Sequence, residues 1–107
     1  MHTNRIAQLE QILTENPNNT FALFALAKEY EKNNQCDNAV QVFEKLLLID
    51  ADYLGAYFHL AKNYEQLDEV KKALNIYEAG ILLAQKMKDP HSLSELKNAK
   101  MNLELEM

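Results

Sequence analysis

Phe24-Ala25-Leu26-Ala27-Lys28-Glu29-Tyr30-Glu31 is followed 34 residues later by Phe58-His59-Leu60-Ala61-Lys62-Asn63-Tyr64-Glu65. Phe, Leu, Ala, Lys, Tyr and Glu recur in register without a gap. The same shift carries Ala22 onto Ala56, Ala39 onto Ala73, Phe43 onto Tyr77 and Glu44 onto Glu78. Chance seldom repeats small, aromatic and charged positions together, and a fixed period of this length marks a stack of repeated structural units. The spacing inside each unit is helical. Leu23, Leu26, Ala27 and Tyr30 stand at i, i+3, i+4 and i+7, and Ala39, Val42, Phe43 and Leu46 do the same in the next segment.

On these residues the segments 20–53 and 54–87 resemble the tetratricopeptide repeat, a helix–turn–helix unit. The first-helix pattern is Leu26-Ala27-x-x-Tyr30 and Leu60-Ala61-x-x-Tyr64. The second-helix pattern is Ala39-x-x-x-Phe43 and Ala73-x-x-x-Tyr77. Pro17 stands where the family often ends a preceding repeat, so residues 4–17 resemble the second helix of an incomplete repeat. Three positions depart from the family. Leu23 and Tyr57 replace its first aromatic, often Trp. Asn34 and Asp68 replace the turn glycine, and Ala51 and Gln85 replace the closing proline. Asn and Asp tolerate the left-handed conformation better than most residues, so the turn survives. Without the proline, the helix after Asp68 is free to run on towards Met87.

The resemblance implies an all-α fold, a right-handed α-α superhelix of about six antiparallel helices. It implies one domain over 1–107: an N-terminal half-repeat helix at 4–17, repeats at 20–53 and 54–87, and a capping helix at 90–106. The tail reads as a helix on its own residues. Leu93, Leu96, Ala99 and Leu103 cluster on one face, Pro90 is tolerable in a first turn, and Ser92-x-x-Glu95 has the form of a capping box. It does not follow the repeat register, as expected of a terminal lid that meets water on one side. Asn18 or Asn19, and Asp52, are the candidate caps of the repeat helices. Gly80 costs about 1 kcal/mol against Ala in mid-helix, which marks it as a point of close contact with the following helix.

Composition narrows the function. The 107 residues carry 11 Lys and Arg against 16 Asp and Glu, a net charge of −5, the wrong sign for a nucleic-acid binder. Two glycines and two prolines are too few for a protein built on tight turns. Met1-His2-Thr3-Asn4-Arg5 leads into a polar stretch, not a signal sequence. Leu46-Leu47-Leu48-Ile49 is far shorter than the ~20 apolar residues that span a bilayer. Cys36 is the single cysteine, which excludes an internal disulfide and suits the cytoplasm. It has no Lys, Arg or His beside it in sequence to activate it. His2, His59 and His91 lack ligand spacing, Asp50-x-Asp52 reads as a solvated loop with a cap, and no phosphate loop is present. These observations point to no enzyme, no cofactor and no metal.

The candidate site follows from the resemblance. In the family, the first helices line a concave groove through the second, fifth, ninth, twelfth and thirteenth positions. These are Phe21, Phe24, Lys28, Glu31 and Lys32 in the first repeat. In the second they are Gly55, Phe58, Lys62, Glu65 and Gln66, with His59 beside them. An apolar floor of Phe24 and Phe58 below Lys28 and Lys62 suits a peptide with an aliphatic side chain and an acidic group. The lysine/asparagine clamp by which some members hold a C-terminal carboxylate is not present, since Phe24 and Lys28 occupy its positions. The alternative is that the phenylalanines pack against the terminal helices, because aromatics at helical spacing are usually core. The expected function is therefore a protein-interaction module. The competing reading is self-assembly, a homodimer through Met101 and Leu105, which lie off the main stripe of the last helix.

Overall fold

A computed structural model describes the backbone of residues 2–107 and the side chains from Arg5 onward. Among the described residues there are six α-helices and no strands. In chain order they are α1 (His2–Glu15), α2 (Thr20–Lys32), α3 (Cys36–Ile49), α4 (Leu54–Gln66), α5 (Val70–Met87) and α6 (Pro90–Glu106). The chain divides after Ala51 into two compact units, α1–α3 and α4–α6.

In the first unit, α1 ends at Glu15, two residues short of Pro17, because a residue preceding proline is pushed out of the helical region. Asn19 caps α2: its side chain accepts the Ala22 N–H at 3.0 Å. The α2–α3 turn depends on Asn34, at φ 62°. That left-handed residue lets the Gln35 N–H reach the Tyr30 carbonyl at 2.8 Å and the Asn34 N–H reach that of Glu31 at 3.1 Å, a Schellman closure. Leu9 of α1 packs on Ala22 and Leu26 of α2, ringed by Ile6, Leu13, Ala25, Tyr30 and Val42. Ala27 and Ala39 are wholly buried, so α2 and α3 approach closely while Phe43 and Leu46 fill the space beside them.

The second unit repeats the design with an extra helix in place of α1. Asp68, at φ 59°, closes α4 as Asn34 closes α2, with the Glu69 N–H on the Tyr64 carbonyl at 2.9 Å. The cap expected at Asp52 falls one residue later. Tyr53 occupies the N-cap position of α4 and offers no side-chain capping bond. Helix α5 runs through to Met87, as the missing proline predicts. It then ends on Lys88, which takes the left-handed conformation at φ 56°. The capping box expected at Ser92 and Glu95 is displaced by three residues. Asp89 is the N-cap of α6 and accepts the Ser92 N–H at 3.0 Å, the Ser92 hydroxyl donates to its other oxygen, and Pro90 follows in the first turn. An acidic side chain just ahead of a proline is the stronger start signal, since proline forfeits an N–H that has no helical partner there.

Gly80 is the contact point between these helices. A Cβ there would stand 2.9 Å from the Tyr57 Cβ and 3.1 Å from Leu96 Cδ1, so α5 touches α4 as well as the α6 helix that follows it. Leu96 and Leu103 bury the inner face of α6. Lys100 joins α6 to α5 through Glu78 at 3.6 Å. No helix of the described residues is long and apolar enough to cross a membrane.

Candidate functional site

The first helix of each repeat, α2 and α4, buries one face and leaves the other open. On α2 the buried side is Ala22, Leu23, Leu26 and Ala27. A stripe at i, i+3, i+7 and i+11 runs along the opposite side as Phe21, Phe24, Lys28 and Lys32. Phe21 is 74% exposed. Phe24 is half-buried and meets Phe43 edge-on, with ring centroids 5.9 Å apart at 65°. The Lys28 Nζ stands over the outer face of that ring, 5.9 Å from its centroid, within the range of a cation–π contact. Glu31 is half-buried at the edge of the stripe and Lys32 is exposed.

On α4 the corresponding stripe is Gly55, Phe58, Lys62 and Gln66. Gly55, Lys62 and Gln66 are exposed, and Phe58 is half-buried with its ring edge-on to His59 at 5.6 Å and 88°. Lys62 lies 3.9 Å from Glu65. Glu65 in turn accepts a hydrogen bond from the hydroxyl of Tyr77, whose side chain is wholly buried. Burial first, and then the Glu65 carboxylate, hold the Tyr77 phenol well above its ordinary range. Glu65 therefore answers to the core of its own unit.

That role is absent from the sequence expectation, which placed Glu65 among the ligand-facing residues on family position alone. The signal was present: the period that maps Phe43 onto Tyr77 adds one hydroxyl to a buried site, and a buried hydroxyl needs a partner. Asn63, also buried, donates from Nδ2 to the His59 carbonyl at 2.7 Å within α4.

Elsewhere, Cys36 is half-buried. Burial, followed by the Glu31 and Asp37 carboxylates, pushes its thiol above the ordinary value, so it stays protonated and poorly nucleophilic at neutral pH. His91 is exposed and His59 half-buried, and the side chain of His2 lies outside the described residues. Among the described residues no three His, Cys, Asp or Glu side chains gather as a metal site. Met101 and Leu105 are 52% and 76% exposed on the last turns of α6.

The family model of the tetratricopeptide repeat matches residues 22–53 and 54–87. A tetratricopeptide repeat domain protein from Salinibacter ruber is 39% identical, with a TM-score of 0.77 over 83% of this chain and 90% of its own. The TPR2B domain of yeast Sti1, solved as a complex with pHsp70, has a TM-score of 0.91 at 15% identity, covering 99% of this chain and 85% of its own. PcrH, solved in complex with the chaperone binding region of PopD, has a TM-score of 0.89 at 13% identity over 98% of this chain and 80% of its own. At such identities the last two share the fold alone. No curated protein matches the chain.

Proposed function

Because the chain belongs to the tetratricopeptide repeat family, we propose that it is a non-catalytic interaction module that holds a peptide or protein partner on the open faces of α2 and α4. The observation that carries this reading is the repeated Phe–Lys pair. Phe24 with Lys28 and Phe58 with Lys62 stand at the same two positions of each first helix, on the side away from the buried Leu-Ala pair. A half-exposed ring one turn from an ammonium group offers apolar contact and a charge to the same ligand, and partly exposed aromatics of this kind are where interfaces concentrate their binding energy. Two neighbours of the same fold support a polypeptide ligand, since PcrH is bound to a region of PopD and the Sti1 domain to pHsp70. A single cysteine, which forms no internal disulfide, suits a cytoplasmic setting.

The test is affinity capture from the native host. Wild type is compared with a variant carrying Phe21→Ala, Lys28→Glu, Phe58→Ala and Lys62→Glu, after circular dichroism has shown unchanged helicity. Loss of the captured partner supports the faces; undiminished capture sinks them.

A second reading rests on Met101 and Leu105, two exposed apolar side chains one turn apart on α6. They suit a symmetric contact with another copy of the chain. Sedimentation over a concentration series separates the two readings. A concentration-dependent dimer abolished by Leu105→Ser supports self-assembly, and a strict monomer removes it.

A further inference from the structure

The outer face of α6 carries a charge pattern as well as its two apolar side chains. Ser94, Asn98, Met101 and Leu105 are exposed and follow one another at intervals of four, three and four residues, one stripe down a helix. The stripe lies opposite Leu96 and Leu103, which are buried. Met101 and Leu105, at 52% and 76% exposure, make its second half apolar. Lys97 and Glu104 stand two turns apart along one flank of the stripe, both exposed and opposite in charge. Lys100 lies 3.8 Å from Glu104 and 3.6 Å from Glu78 of α5, which holds the Glu104 carboxylate to that flank.

We infer that this face pairs with the same face of a second copy, the two α6 helices running antiparallel about a two-fold axis. This rests on the self-assembly reading and specifies its orientation and register. A two-fold axis sets each flank against its own copy. With the helices antiparallel, Lys97 of each copy lies opposite Glu104 of the other, so the pattern is complementary to itself and makes two ion pairs. Met101 falls near the axis, against Met101 and Asn98 of the second copy, and Leu105 falls against its Ser94. On the other flank Glu95 meets Asn102, so no like charges face each other. A parallel pair would set Lys97 beside Asn102 and make neither ion pair. Charge matters here because two copies of net charge −5 repel at a distance, and a local match of opposite signs selects the direction of pairing. One helix face is a small contact, so the dimer is weak and concentration-dependent.

The experiment is sedimentation equilibrium on the full chain, with circular dichroism to show unchanged helicity in each variant. Wild type is expected to dimerise and Leu105→Ser to abolish the dimer. Lys97→Glu and Glu104→Lys each turn two attractions into two repulsions, so each alone is expected to weaken the dimer about tenfold. An equal mixture of these two variants is expected to associate within about threefold of wild type. In the mixed pair the reversed charges face each other at one end and the native charges at the other. Single reversals without effect, or a mixture no tighter than its components, overturn the antiparallel pairing. The self-assembly reading then stands if Leu105→Ser still abolishes the dimer. A wild-type monomer at every concentration, or a dimer indifferent to Leu105→Ser, overturns both.

Discussion

A single hydroxyl separates Tyr77 from its repeat counterpart Phe43, and it decides what Glu65 does. Replacing Glu65 with Ala strands a phenolic O–H in a side chain that is wholly buried. The expected cost is about 1–3 kcal/mol, the desolvation penalty of an unmet buried polar group. Tyr77→Phe in the same chain removes the stranded donor and should recover most of it. A double-mutant cycle by urea unfolding measures the coupling, and additive losses would show that the two side chains act independently. The same pair sets an alkaline limit. The Tyr77 phenol is raised above 10.0, the value it has when unfolded. The folded state therefore keeps a proton that the unfolded chain releases, so this contribution is fully present below about pH 10 and fades as pH rises further. Wild type should lose urea resistance above that pH. Tyr77→Phe should lose less, with Tyr30, raised by burial and by Glu10, supplying part of the remainder.

Three helices, α2, α4 and α5, stop in the same way, and none of these stops uses glycine. Asn34, Asp68 and Lys88 all take the left-handed conformation and close Schellman turns. Asn and Asp pay little for it, whereas Lys carries the usual Cβ penalty of about 1–2 kcal/mol. Lys88→Gly is therefore expected to raise thermal stability by about 1 kcal/mol, less the entropy that glycine gains in the unfolded chain. An unchanged or lower melting temperature contradicts that account. Gly80 runs the other way. In an isolated helix Gly→Ala gains about 1 kcal/mol. Here the new Cβ would meet the Tyr57 Cβ at 2.9 Å, an atom fixed to the α4 backbone, as well as a Leu96 methyl at 3.1 Å. Overpacking of this kind costs about 1–3 kcal/mol, so Gly80→Ala should lower the melting temperature. Met101, off the α5-facing stripe, should tolerate polar replacement far better than Leu96 does.

On α2 and α4, residues that hold the fold and residues proposed to face a partner lie on opposite sides of the same helix. Leu26 and Phe21 make the contrast on α2. Leu26→Ala empties part of a packed cluster with Leu9 and Ala22 and should cost about 2–5 kcal/mol. Phe21→Ala, at 74% exposure, should change stability by no more than about 0.5 kcal/mol while weakening ligand binding. A large stability loss for Phe21→Ala would move that ring from the proposed binding face into the fold.

The repeat in the sequence determined the all-α class, the two helical pairs, the left-handed turns at Asn34 and Asp68 and the close contact at Gly80. Each follows from short-range rules: a period of 34, a helical spacing of apolar residues, a residue type that tolerates positive φ. The caps were less legible. Asp89 rather than Ser92 starts α6, and Tyr53 rather than Asp52 starts α4, because several neighbouring side chains qualify and the backbone path chooses among them. Glu65 shows what only the tertiary structure decided. Its family position makes it a groove candidate, and the packing of α5 on α4 also brings a buried hydroxyl within its reach. A contact between residues 65 and 77 depends on how two helices pack, and no local spacing records that.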